Sequence, residues 1–182
     1  MAFRYYDNLL SGSGPALVSE IINNSVAIEP GDAVRTYNAG YVALATEANA
    51  IKGIVHAVLD DLGRSLAPER DTQAELGDAT IASGVVTVGG DNTTDDAHRA
   101  LIDISPFSRY SADVTGTIGT TNSSNLPGAN IDADDENTID ETTAVRTASG
   151  QFYGWGTDPN DSGNIIVSIR ESEIFGSTAV YG

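Results

Sequence analysis

The sequence predicts a mainly β protein, an antiparallel β-barrel or β-sandwich with long loops and an N-terminal arm. Three observations predict this class. From Leu17 onward, apolar residues recur mostly at every second position, which is the period of a half-buried strand. Turn-forming residues, including 19 Gly and 6 Pro, interrupt the pattern at short intervals. No stretch requires a helix longer than about two turns.

Residues 1–16, MAFRYYDNLLSGSGPA, are predicted to form the arm, and residues 17–182 the β-rich domain. The arm is too short to build a core of its own, so its large apolar side chains must pack on another surface. These side chains are Phe3, Tyr5, Tyr6, Leu9 and Leu10. Two alternatives stay open: the segment covers its own domain, or it packs on a neighbouring subunit.

The first predicted strands flank a turn in SVAIEPGDAVRTY. Pro30 presets φ at the second turn position and Gly31 supplies positive φ at the third, so Glu29 to Asp32 should form a type II turn. A turn at 38–40 precedes the strand YVALAT, and the strand IKGIVHAVLD follows. Its alternation predicts a half-buried strand with one apolar face, formed by Ile51, Gly53, Val55, Ala57 and Leu59, and one mixed face, formed by Lys52, Ile54, His56 and Val58.

The rest of the chain is predicted to alternate between strands and loops. Residues 60–79 are polar and form a long excursion. The segment TTNSSNLPGANIDADDENTIDETT has the composition of a long, irregular surface loop. Leu17, Val18, Ile21 and Ile22 also match helical spacing, which leaves a helix as an alternative there. The later strands are predicted in TIASGVVTVGG, RALIDIS, YSADVTGTIG, AVRTASGQFYGWG, NIIVSIR and EIFGSTAV.

The charge balance excludes whole classes of partner. The net charge is −17, and Lys52 is the only Lys among nine basic residues. Nucleic acid and anionic membrane surfaces both require a basic footprint, so we expect neither as a partner. The absence of Cys excludes disulfides and thiolate chemistry. No apolar run approaches a membrane span, and the N-terminus lacks the features of a secretion signal, so synthesis in the cytoplasm is expected.

The same acidity carries information about the medium. At about 1 M salt the Debye length shrinks to about 3 Å, which removes most of the self-repulsion of an acidic surface. High acidity combined with scarce Lys resembles proteins of halophiles that accumulate salt, including haloarchaea and their viruses. The resemblance implies a chain whose folding salt favours.

The most acidic stretch is IDADDENTIDET, residues 131–142, which suggests either a cation site or a solvated loop. Its acidic residues are Asp132, Asp134, Asp135, Glu136, Asp140 and Glu141. The alternation of Asp132, Asp134 and Glu136 is similar to that of calcium loops. Asn137 and Thr143 stand where such a loop needs Gly and Glu, so an EF-hand is excluded. We predict a solvated loop and no metal site.

No residue set predicts catalysis. His56 and His98 are the available bases, and the segment DDAHR brings Asp95 and Asp96 close to His98 in sequence. Neither a nucleophile motif nor a phosphate-binding Gly loop accompanies them. Carboxylate pairs are uninformative among 26 acidic residues. We therefore predict a protein that is not an enzyme, with no catalytic residue, cofactor or metal.

The segment GQFYGWG, residues 150–156, is the most aromatic part of the chain. Tyr153 and Trp155 share one strand face unless a bulge at Gly154 separates them. They could stack a sugar ring, but packing in the core or at a subunit interface is the preferred prediction, because large aromatic residues often anchor protein interfaces.

Two segments carry a family resemblance. VAIEPGDAVRTYNAGYVALATEANAIKGIVHAVL and the stretch from SRYSADVTGTIG to SIRESEIF resemble decoration or cement proteins of tailed-virus heads, over most of residues 25–176. The resemblance implies a virion structural protein on the capsid exterior that bridges major capsid protein subunits, and a homo-oligomer, preferably a trimer. The alternatives are a tail or head-to-tail connector component, and an adhesin module that binds a host-surface glycan or a cation.

Overall fold

The fold confirms the predicted mainly β class, with 59% strand and 3% helix in a computed structural model. The structure describes residues 3–10, 13–37, 40–46, 49–66, 79–82, 85–89, 97–115, 118, 127–145 and 150–175. The elements are β1 (Arg4–Asn8), β2 (Leu17–Ile22), β3 (Ala27–Ile28), β4 (Ala33–Tyr37), β5 (Tyr41–Leu44), β6 (Gly53–Leu59), β7 (Ala79–Ala82), β8 (Val85–Val88), β9 (Arg99–Asp103), β10 (Ser108–Thr115), β11 (Asn130–Ala133), β12 (Thr138–Val145), β13 (Phe152–Asp158), β14 (Asp161–Ile169) and α1 (Glu171–Phe175).

Five strands, in the order β2-β5-β4-β6-β9, close into the first barrel. The sheet β3-β8-β7 packs against it and contributes Ile28, Val86 and Val88 to the same core. A Cβ at Gly53 would lie 2.4 Å from the Asp103 carbonyl oxygen, so β6 and β9 approach too closely for any other residue. Residues 17–22 form a strand rather than a helix, because β2 pairs with β5 and β9.

Strands β10, β12, β11, β13 and β14 form a second closed circuit, because β14 pairs back onto β10. Strand β1 lies outside this circuit and pairs antiparallel with β10. Most pairings in the fold are antiparallel, as predicted; β2–β5 and β10–β12 are parallel. We call the closed barrel the first ring and this circuit the second ring; each has five strands.

Strand β6 and the residues just before it contribute side chains to the cores of both rings. Ile51 and Ile54 pack in the core of the second ring, whereas Val55 and Val58 pack in that of the first. A bulge between Val55 and Ala57 shifts the alternation along the strand. The predicted alternation therefore holds only in part: Gly53, Ile54 and Val55 are buried in succession, whereas His56 is exposed on the predicted mixed face.

Part of the N-terminal segment packs on its own domain, whereas Tyr5, Tyr6, Leu9 and Leu10 are between 36% and 48% exposed. Phe3 is 3% exposed and stacks on Phe152 at 5.0 Å between ring centroids. Its N–H also donates to the Gly31 carbonyl oxygen at 3.0 Å. Residues 4–8 are thus an integral strand at the edge of the second ring.

Two predictions of local structure were wrong. The segment predicted as an irregular acidic loop contains β11 and β12, whose Ile131, Ala133 and Ile139 lie in the core. The end of the chain predicted as the strand EIFGSTAV begins with the short helix α1, and residues 176–182 lie outside the described part. The type II turn is confirmed, since Gly31 has φ of 99° and Asp32 N–H donates to the Glu29 carbonyl oxygen at 3.2 Å.

Candidate functional site

A groove of about 440 Å³ with aromatic walls lies where β1, the β9–β10 turn and β13 meet. Large apolar side chains occur here on the surface, and they are brought from three separate parts of the chain. We call Leu9, Phe107, Tyr153 and Trp155 the aromatic face; they are 40%, 44%, 36% and 37% exposed. The groove is completed by Pro106, Ser168, Ile169, Arg170, Glu171 and Ser172.

Local strand geometry creates this face. Tyr153 and Trp155 alternate outward from β13 while Phe152 and Gly154 are buried, and their rings touch edge to face at 5.0 Å between centroids. The two aromatics share one side of β13 although the register shifts between Gly154 and Gly156, so the bulge does not separate them as the sequence alone allowed. The Leu9 N–H donates to the Phe107 carbonyl oxygen at 2.9 Å, which holds the end of β1 beside the turn.

Polar contacts fix the aromatic face in position. The Trp155 Nε1–H donates to Ser168 Oγ at 3.0 Å. The Arg109 guanidinium lies 5.5 Å from the Trp155 ring centroid and 5.7 Å from that of Tyr6, within the range of cation–π attraction. Arg109 also forms a bidentate pair with Asp7. A face held in this way loses little side-chain entropy when it binds, which favours affinity.

The acidic segment forms a tight hairpin between β11 and β12 rather than the predicted solvated loop. Asp135 Oδ1 accepts from the backbone N–H groups of Asn137 and Thr138 at 2.9 and 2.7 Å, and Asp134 Oδ2 accepts from Thr115 Oγ1 at 2.6 Å. The strand register places Asp132 opposite Asp140. Several of these carboxylates therefore have structural roles in the turn.

The hairpin packs on a buried carboxyl that sequence reasoning read only as a turn residue. Asp32 is 3% exposed, and its Oδ2 accepts from the Glu29 N–H at 2.8 Å. Among the described residues, Oδ1 has no hydrogen-bond partner. Burial raises the pKa of Asp32 to about 7; the Glu29 N–H opposes this, and repulsion from the carboxylates of Glu29, Glu136 and Asp135 adds to it.

Gln151 is the second residue whose role was missed, and it joins the two rings. Its Oε1 accepts from the Ala133 N–H at 2.7 Å, and its Nε2 donates to the carbonyl oxygens of Thr46 and Asn49. The side chain is 5% exposed. An amide just before an aromatic strand carries no sequence signal for this role, because its two carbonyl partners, Thr46 and Asn49, lie 105 and 102 residues away.

The candidate catalytic residues do not form a described site. His56 is exposed on β6, while His98 is buried just before β9 rather than lying in a surface turn. Asp95 and Asp96 lie outside the described residues, and so does the side chain of Glu141. Within the described ranges, no group of three or more His, Asp or Glu is placed to hold a metal ion.

Comparison with known proteins adds no family to these observations, because no protein-family model and no curated protein matches the chain. A search for membrane spans over the described part of the chain found no helix both long and apolar enough to cross a bilayer.

Proposed function

We propose that this chain is a virion structural protein that decorates the outer surface of an icosahedral capsid and bridges major capsid protein subunits. The observation that supports this proposal is the aromatic face. Exposed apolar side chains that cluster within a polar rim are characteristic of surfaces that bind other proteins, and Trp and Tyr dominate the energetics of such interfaces. The sequence resemblance to head decoration proteins supplies the identity of the partner.

The architecture suits a clamping role. Each ring has its own buried core, and Gln151 bonds the two rings together, so an interface on one ring is supported by the other. The aromatic face draws on β1, on the β9–β10 turn and on β13, which ties the contact surface to the frame of the second ring. Several copies, as in the proposed trimer, would multiply a modest affinity through multivalency.

The first test is the position of the chain in the particle. Cryo-electron microscopy of purified particles of the virus that encodes the chain is expected to show it in many copies on the head exterior. A few copies at a single vertex or on the tail would instead identify a connector or tail component. Absence from assembled particles would refute all of these structural roles.

Replacing Trp155 by Ala is expected to weaken binding to capsids that lack the protein by about thirtyfold or more, as the loss of an aromatic interface anchor does. Co-sedimentation with such capsids measures the change. Leu62→Ala is the matched control, because Leu62 is 70% exposed and does not line the groove. Equal binding by both variants would contradict a role for the aromatic face, and Trp155-dependent binding to a glycan array would favour the adhesin alternative.

Salt is expected to control folding. In dilute buffer the charge of −17 and the facing pair Asp132 and Asp140 repel, so we expect the chain to lose structure there and to regain it near 1 M KCl, where the Debye length is about 3 Å. Circular dichroism against salt concentration measures this. Sucrose is the control, because it favours burial without screening charge; equal recovery in sucrose would show that repulsion is not the cause.

A further inference from the structure

The junction between the two rings contains a carboxyl group placed where an ion is disfavoured. Asp32 lies in the turn that precedes β4, and its carbonyl oxygen accepts from the Val55 N–H at 2.9 Å. The next residue, Ala33, donates its N–H to the Glu136 carbonyl oxygen at 2.6 Å. One short turn therefore contacts both β6 of the first ring and the acidic hairpin of the second.

The surroundings of the Asp32 carboxyl favour its neutral form. Glu29 on its own turn, and Asp135 and Glu136 on the hairpin, are the charged groups that raise its pKa by repulsion. These neighbours offer carboxylate oxygens, which are acceptors only. The buried Oδ1 has no hydrogen-bond donor among the described residues, so a charge on it is uncompensated. Buried polar groups of this kind are stable only when they are hydrogen-bonded.

Other elements packed around the turn provide little compensation for a charge. Strand β6 contributes backbone contacts from Val55, and the side chain of His56 is exposed. On the side of β1, a cavity of about 300 Å³ brings Pro30 and Gly31 together with Arg4, Tyr5, His56, Asp103 and Tyr110. Arg4 pairs with Asp161 at 3.0 Å, and Asp103 accepts from Tyr110 Oη–H at 2.7 Å.

We infer that a proton on Asp32 keeps the acidic hairpin of the second ring docked on the turn of the first. We call this contact the latch. With a proton from solvent on Asp32, the acidic hairpin stays docked on the turn and the Ala33–Glu136 bond is closed. When the proton leaves, the carboxylate is buried among like charges, and the hairpin separates from the first ring so that water can solvate it. The hairpin is thus docked below neutral pH and exposed to solvent above it.

High salt does not disable this latch. Screening weakens the repulsion from Glu29, Asp135 and Glu136, but the largest cause of the raised pKa is burial of the carboxyl itself. Removal from water penalises the charged form at any ionic strength. The latch is therefore compatible with a chain that folds in brine, and it does not depend on the proposed capsid role.

Amide hydrogen exchange, corrected for intrinsic rates, tests the latch on the intact chain. The Ala33 amide reports on the hairpin, and the Lys52 amide, which donates to the Val34 carbonyl oxygen at 2.7 Å within the first ring, is the internal reference. Between about pH 5 and pH 8 the protection of Ala33 should fall by about a hundredfold, as a pKa moved from 3.8 to about 7 requires. At about pH 8 Ala33 should be protected less than Lys52, because the hairpin opens while the first ring stays folded.

Two variants sharpen the result. Asp32→Asn should abolish the pH dependence of Ala33 protection, whereas Asp134→Asn, which removes a charge from an exposed position of the same hairpin, should keep it. If Asp32→Asn does not fold, the test is the NMR chemical shift of the Asp32 carboxyl carbon in the unaltered protein, measured against pH. A midpoint near 4, equal protection of Ala33 and Lys52 at about pH 8, or unchanged pH dependence in Asp32→Asn would overturn the proposal.

Discussion

Replacing Phe152 by Ala is expected to destabilise the protein by about 3–5 kcal/mol, the range for deleting a fully buried Phe. Phe152 is 0% exposed and stacks on Phe3 in the core of the second ring. The change leaves a cavity in the core and removes the contact that holds the segment before β1. Urea unfolding at a fixed high salt concentration measures the loss.

An exposed Phe serves as the control for this prediction, and a double-mutant cycle with Phe3 tests the contact itself. Phe107→Ala should change stability by only about 0.5 kcal/mol, because the residue is 44% exposed. A double-mutant cycle between Phe3 and Phe152 should return about 0.5–1.5 kcal/mol of coupling. A coupling of zero would show that the N-terminal segment does not pack on its own domain in solution.

The free energy of unfolding is expected to fall as pH rises from about 4 to about 7, because Asp32 loses the proton that it binds in the folded protein. The folded protein binds a proton on Asp32 up to its raised pKa of about 7, while the unfolded chain has already released it near 3.8. The stabilisation is complete below the lower value and is lost as pH approaches the upper one, by about 4 kcal/mol in total. Asp32→Asn mimics the protonated form and should be the more stable protein at about pH 8.

The difference between the two proteins isolates this effect from the other carboxylates. Urea unfolding of both should show a gap that widens between about pH 4 and pH 7 and then stays nearly constant. Asp134→Asn should run parallel to the unaltered protein over the whole range, since Asp134 is exposed. A constant gap for Asp32→Asn across the range would contradict a raised pKa.

The alternating strands and the turn at Pro30 could be predicted, because both depend on neighbouring residues. The bulge in β6 could not, since one inserted residue reverses the alternation without any change in composition. Strands β11 and β12 were predicted as a loop because they are rich in Asp and Thr, which are common in loops. The apolar residues Ile131, Ala133 and Ile139 were the sequence feature that indicated strands. The first turn of α1 contains Glu171 and Glu173, which favour a helix N-terminus, yet the apolar residues beside them suggested a strand.

The candidate site was predictable only in part for the same reason. Tyr153 and Trp155 are two positions apart on one strand, and their common side followed from the period of the strand. Leu9 meets Phe107 through the pairing of β1 with β10, and β14, which pairs with both β10 and β13, brings them beside Tyr153 and Trp155. These are contacts between distant parts of the sequence. Asp32 became a site because the hairpin folds over it, and local sequence does not reveal what will cover a turn.

The shared strand β6 has a consequence for evolution and for engineering. A fragment containing only the first ring would leave Ala33, Ala45, Ile51 and Ile54 facing water, because these residues belong to the core of the second. Neither half can therefore be exchanged between genes as a module. Recombination within the chain is therefore expected to be tolerated only where both halves are inherited together.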